Sequence, residues 1–368
     1  MQRLAAPVGL SAEDAGDPGP ERGAPLRVSW VGGRPAWTGI RAAAAELGSV
    51  DELHEPRRGE LGMSMPGAGV DVLHVRHAAA GSLRSLRRHA RNAAIVLDLT
   101  ALPEGEAYGA ARRCSGADLV LLPSLRDLSE ARRRFPSVIA RSALLRPPLE
   151  RLEHERSAVP HAWRSGPPFV LFDGPMTPAG GLDAALDAVR SLDTPDGPLR
   201  LVALCRGRVE RRFRERIVAR ATEAGERVLV AGGPLSASTV AAWYESAAAV
   251  CLPATGTLDP TPAKLAALAG KASVVTEVDS LLEYVDDETG ILVPVHDVDG
   301  LRRALGLLVR DGELAARLGA VARRRADEEL APAAAARRLR HLWETVVNAL
   351  AAANGVSRAG TPNGGRAR

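Results

Sequence analysis

The rhythm of its apolar runs is what most constrains this 368-residue chain. Short stretches of Val, Leu, Ile and Ala recur at 26–31, 70–75, 94–99, 118–122 and 138–145. A second series follows at 168–172, 199–204, 227–231, 249–252, 273–276 and 291–293. Gly, Pro or Asp flanks most of them, and segments with helical spacing lie between, for example 182–192, 208–224, 237–246 and 301–309. Unbroken apolar runs of this length suit parallel strands covered on both faces. Strand–helix alternation on this scale predicts βαβ units, hence an α/β fold of doubly wound parallel sheets.

The series breaks once. Arg146-Pro147-Pro148 leads into a polar stretch rich in Arg, Glu and His. The break divides the chain into a Rossmann-like domain at 25–149, a linker at 150–166 and a second Rossmann-like domain at 167–353. The second domain ends in a helix from 332 that carries Leu339, Leu342, Val346, Val347 and Leu350 on one stripe and is expected to return across the interface. Residues 1–24 and 354–368 are rich in Gly, Pro, Ser and Arg and are expected to be disordered tails. Two such domains would face a cleft at the carboxyl ends of their strands, where ligands of these sheets bind.

Composition narrows the function classes. Hydrophobic residues make up 46% and aromatic ones 3%, so Ala, Val and Leu must fill the cores. No apolar run approaches the roughly 20 residues of a membrane helix, and no charged-then-apolar leader opens the chain, so a cytoplasmic protein is expected. The net charge of +4 is carried almost wholly by Arg; Lys264 and Lys271 are the only lysines. These arginines are interleaved with acids, without an aromatic-basic platform or zinc-finger spacing, which argues against a nucleic-acid partner. The basic stretch 82–92 reads first as a solvated helix and second as a weak peripheral contact with anionic membrane. Cys114, Cys205 and Cys251 lie far apart, with the spacing of neither a disulfide framework nor a metal site, and are expected as free thiols.

Several segments carry a resemblance. Phe169 through Gly174 is a strand ending in glycine, and Gly181-Leu182-Asp183 opens a helix. Val228 through Gly232, Trp243-Tyr244 and Ala249 through Pro253 follow in order. Ala269-Gly270-Lys271, Val274-Val275-Thr276, Glu283 and Thr289-Gly290 complete the pattern. In this order they resemble the nucleotide-sugar domain of retaining GT-B glycosyltransferases, the group 1 or family 4 set. The first half is similar to that family's acceptor domain more loosely. It has a glycine turn at Gly32-Gly33, a segment containing Asp71, His74 and His77, and a strand followed by Ser124.

The resemblance implies transfer of a sugar from a nucleotide-sugar donor to an unknown acceptor, with retention and without metal. The nucleotide sugar is a substrate, and no cofactor is implied. Such transfer needs cations or backbone N–H groups to meet the diphosphate charge as the sugar becomes oxocarbenium-like. The family places an Arg just after the opening glycine, Gly174, and a Lys five residues on; here these are Pro175 and Gly180. Its paired glutamates fall on Thr257 and Leu265. One expectation is that the charges have moved, to Arg206 and Arg208 around Gly207, to Arg34 after the glycine turn, and to Asp259 and Lys264 beside the vacant glutamates. Glu283 keeps the family's residue. Under this reading Gly32 and Gly33 let donor phosphate approach the backbone, and His74 or His77 supplies an imidazole suited to proton transfer near neutrality. The rival expectation is a catalytically silent homologue that binds ligands or a protein partner.

Overall fold

The computed structural model describes residues 26–31, 70–76, 83–90, 92–103, 105–151 and 158–354. The chain forms two units: Met1–Pro148 together with Pro332–Arg368, and Leu149–Ala331.

The first unit holds β1 (Val28–Val31), β2 (Val72–Arg76), β3 (Ala94–Asp98), β4 (Leu119–Leu122) and β5 (Ser142–Leu144). All pairings are parallel, and among the described residues the strands lie side by side in chain order. Alternate residues feed two cores, one on each face. Leu73, Val75, Ile95 and Leu97 pack with Leu83, Leu86 and Leu128. Val28, Trp30, Val72 and Val96 pack against the helix Pro332–Ala353. That closing helix therefore belongs to the first unit. Leu339, Leu342, Trp343, Val346 and Val347 are its buried stripe, spaced by turns of three and four residues. The apolar run at 138–145 is a strand only over Ser142–Leu144; its first part is the 3-10 helix Pro136–Arg141. Pro136 has no N–H to give a ladder and pre-sets a helical φ.

The second unit holds β6 (Phe169–Met176), a small antiparallel hairpin of β7 (Asp193–Thr194) and β8 (Gly197–Pro198), then β9 (Arg200–Val209) and β10 (Val228–Gly232). It continues with β11 (Ala249–Leu252), β12 (Ser273–Thr276) and β13 (Gly290–Val293). The main sheet is all parallel, in the order β10-β9-β6-β11-β12-β13. The chain winds outward from β6 to β10 and then resumes on the other side at β11. That reversal opens a crevice beyond the carboxyl ends of β6 and β11, the usual ligand position in such sheets. Val170, Phe172, Leu201 and Ala203 face one core, Phe169, Leu171, Val202 and Leu204 the other. Both β6 and β9 run past the apolar segments seen in the sequence, because pairing continues through Asp173 and Gly174.

The stretch 150–166 is not a free tether in its described part. His161–Arg164 form a short helix bound to the second unit. Arg200 Nη1 donates to the Ala162 carbonyl at 2.8 Å and Nη2 to that of Trp163 at 3.1 Å. The same guanidinium lies 4.4 Å over the Trp163 ring, which meets Phe169 and Trp243 edge-on. A buried Arg needs acceptors, and the ends of this short helix supply them.

Replacing Trp343 with Ala removes the largest side chain of the closing helix's stripe. It is expected to cost about 3–5 kcal/mol in urea unfolding followed by circular dichroism. Trp343→Phe, which keeps an aromatic ring but loses part of the buried volume and the N–H to His74, should cost less, about 1–3 kcal/mol.

Candidate functional site

The reversal point of the second sheet brings together three side chains from β6, β9 and the helix Ala237–Ser246. Asp173 stands in an otherwise apolar strand, with its carboxyl group enclosed. Arg206 Nε donates to Asp173 Oδ1 at 2.8 Å, and Nη2 donates to Oδ2 in a second, shorter bond. Tyr244 donates its hydroxyl to the same Oδ2 at 2.6 Å and lies 3.3 Å from the Pro262 carbonyl. Burial works to lower the Arg206 guanidinium, but the Asp173 bonds and charge outweigh it and leave the group raised and charged. Burial and then the Asp173 charge push the Tyr244 phenol well above its ordinary range, so it stays a donor. Arg206, expected to grip a diphosphate as a free cation, is instead half of a closed ion pair. Arg208 is exposed and forms no ion pair among the described residues. Between the two, Gly207 takes φ 92°, where the register of β9 against β6 also shifts.

Glycines close the backbone around this point. Gly181 has φ 77°, and a β-carbon there would meet the Pro253 carbonyl oxygen at 1.8 Å. The amide of Thr255 donates to the Ala179 carbonyl at 3.0 Å, so the turns after β6 and β11 are bonded directly. A β-carbon on Gly180 would meet the Pro175 carbonyl oxygen at 2.3 Å. The two vacant cation positions are thus sterically linked, and no side chain fits at 180 while the turn keeps this path. Gly174 is packed against the Phe172 ring, which a β-carbon would approach to 3.2 Å.

The vacant glutamate positions have separate fates. Thr257 is exposed in the turn after β11, whereas Leu265 is buried in the core beside Tyr244. Asp259 accepts from the amide and hydroxyl of Thr261 at 3.0 and 2.7 Å and so occupies the start of the helix Thr261–Leu268. An acid there competes with any anion for the same N–H groups. Lys264 and Glu283, expected beside the donor, line a different hollow with Asp286, Thr289 and Arg325, on the helical flank near the start of β13. There the Lys264 ammonium sits 4.6 Å over the Tyr284 ring. No residue of the turns after β6, β9 or β11 lines that hollow.

In the first unit His74 is enclosed rather than poised for proton transfer. Its Nε2 lies 3.1 Å from Asp98 Oδ2, its Nδ1 3.3 Å from the Trp343 indole N–H, and its ring 4.0 Å from that of Trp30. The indole can only donate, so Nδ1 accepts and Nε2 carries the proton. Asp98 also accepts from the Thr100 amide at 2.8 Å and from its hydroxyl. Burial works to raise the Asp98 carboxyl, but the hydrogen bonds from His74 and Thr100 hold it below its ordinary value. Ser124 caps the helix Leu125–Arg134. Gly32, Gly33, Arg34 and His77 lie outside the described residues.

The three cysteines are free and buried. Burial, with the Asp173 charge behind it, pushes the Cys205 thiol up to about 12, and burial does the same for Cys251. Neither is a thiolate nucleophile at neutral pH. Among the described residues, no group of three or more His, Cys, Asp or Glu side chains could hold a metal ion.

Residues 167–311 match the family model of the glycosyl transferases group 1. This segment is similar to the group 1 glycosyltransferases. Solved structures extend the likeness to the whole fold, which is GT-B. The sucrose-phosphate synthase of Thermosynechococcus elongatus superposes with a TM-score of 0.62 at 17% identity, over 88% of this chain and 100% of that one. HepE of Anabaena, solved with UDP and glucose, gives 0.60 at 13% identity over 87% and 100%. A glycosyltransferase of Rickettsia africae gives 0.60 at 12% identity over 88% and 99%. No curated protein matches the chain significantly in sequence. The matched segment holds β6 through β13, and so contains the Asp173–Arg206–Tyr244 assembly.

Two outcomes follow from this geometry. Restoring a family-like cation by Gly180→Lys should overpack the turn and lower stability by about 1–3 kcal/mol, read by thermal melting. Asp98→Asn should flatten the acid limb of stability against pH. A carboxyl depressed in the folded state contributes fully above its unfolded value and loses that contribution as pH falls through the folded value. Denaturant titrations from neutrality to below the carboxylate range would show the wild type losing more stability than the variant.

Proposed function

We propose that the chain is a glycosyltransferase that takes a nucleotide-sugar donor and transfers the sugar with retention, without a metal ion, to an acceptor whose chemistry is open. The observation that carries this reading is an exposed cation, Arg208, which forms no ion pair among the described residues and stands at the carboxyl end of β9 inside the segment that matches the group 1 family. The relatives solved with UDP and with UDP-glucose support a nucleotide sugar as donor. Arg208 meets the diphosphate charge in place of the cations that Pro175 and Gly180 lack. Each missing electrostatic donor is worth about 3 kcal/mol of barrier, so turnover is expected to be slow. A cytoplasmic setting belongs to the same proposal. Three buried, unpaired cysteines suit a reducing compartment, and among the described residues no helix is long and apolar enough to cross a membrane.

A second reading, a donor-binding but catalytically silent subunit, draws on the Asp259 carboxylate at the start of Thr261–Leu268 and on the neutralised Arg206. The two readings part at turnover. Calorimetry against UDP-, GDP-, TDP- and ADP-glucose is expected to find one binder. Arg208→Ala should weaken that binder about tenfold, the loss of one charge-assisted contact. Release of nucleoside diphosphate over time supports the transferase; binding without release supports the silent subunit. No binding of any of the four sinks both.

A further inference from the structure

Arg206 is too well compensated to act as the diphosphate's counter-ion. We infer that it instead reads an uncharged acceptor on the donor, a carbonyl of the base or a hydroxyl of a sugar, and that Asp173 and Tyr244 are the positioning residues that hold it for this task. The inference rests on the donor reading above and divides its site into two parts, a neutral one at Arg206 and a charged one at Arg208.

Charge supports the division first. Asp173 and Arg206 sum to zero, and the Asp173 side chain is only 1% exposed behind the guanidinium. A phosphate placed on the open edge of Arg206 would feel the carboxylate as well as the cation, so little net attraction survives. An uncharged carbonyl or hydroxyl oxygen loses nothing by that cancellation. It needs only a directed N–H, and compensation does not remove directed N–H groups.

Donor geometry supports it next. A guanidinium offers five N–H donors in one plane. The Nε–Nη2 edge is committed to Asp173, which leaves the Nη1 edge turned the other way, on a side chain that is 35% exposed. A two-point carboxylate contact fixes the plane of the fork, and the Tyr244 hydroxyl fixes the carboxylate in turn. Donors whose direction is set before the ligand arrives cost little ordering on binding. Gly207 supplies the third element. Its left-handed backbone separates two arginines, one drawn onto Asp173 and one left in solvent.

The test uses the full chain and whichever of UDP-, GDP-, TDP- or ADP-glucose binds most tightly, titrated calorimetrically over a series of NaCl concentrations. Arg206→Lys keeps the charge and loses the fork. It is expected to weaken binding about tenfold, since lysine serves a phosphate as a point charge but not a directed planar contact. Tyr244→Phe should weaken binding about threefold while leaving its salt dependence as in the wild type. Arg208→Ala should flatten the salt dependence, because screening acts on the uncompensated charge. If Arg206→Lys folds poorly, the paired variant Asp173→Asn with Arg206→Gln leaves net charge unchanged. It should lower affinity while leaving the salt dependence as in the wild type. Full affinity in Arg206→Lys, or a salt dependence flattened by the paired variant as much as by Arg208→Ala, overturns the division while the donor reading stands. Failure of the wild type to bind any of the four removes the donor reading itself, and this assignment with it.

Discussion

The carboxylate of Asp173 is the constraint around which the second unit is arranged. A charge in an otherwise apolar strand is tolerated only where its partners are complete. Here a guanidinium takes both oxygens and a phenol shares one, so strands β6 and β9 and the helix Ala237–Ser246 are joined through a single group. The Tyr244 hydroxyl also lies against Pro262, in the first turn of Thr261–Leu268. Four elements that meet at the sheet's reversal point are therefore positioned by one acid. Pairs of this kind add little net stability over a well-packed apolar substitute, yet removing one partner leaves an uncompensated charge. Their value lies in fixing geometry, which is what a binding crevice between two strand ends requires.

The glycines do complementary work. Where Asp173 pulls side chains inward, Gly180 and Gly181 let two backbones approach with no side chain between them. The turn after β6 is bonded to the turn after β11, and within the first of these turns the Pro175 carbonyl leaves no room for a side chain at position 180. Pro175 and Gly180 are thus coupled through one turn, and a side chain at 180 cannot be added without moving 175.

Much of the fold was legible in the sequence, because parallel strands covered on both faces leave unbroken apolar runs. The second sheet's six main strands each overlap one of the predicted segments, to within a residue at the start. What escaped were the ends. Pairing carried β6 through an acid and a glycine, and β9 through two arginines, because partner strands rather than local composition decide where a ladder stops. At the site, the glycines and Arg206 were visible as residues, but their state was not. Asp173 and Tyr244 are 71 residues apart, and no local pattern links them. The one available signal was the acid itself, closing the apolar run Phe169–Phe172. His74 shows the converse. Its residue type suggested chemistry, while its burial depended on Trp343, 269 residues away.

That dependence on a distant helix has a consequence for how the chain is made. The first unit is discontinuous: its described strands precede Leu149–Ala331 in the chain, and among the described residues Pro332–Ala353 covers one face of their sheet. The intervening unit, Leu149–Ala331, has all its own elements before that helix emerges. Domains commonly fold as units in the order in which they are completed. The unit that begins first is therefore finished last: the core that Trp30 and Val96 share with Leu339, Trp343 and Val346 closes only once the final helix has been made.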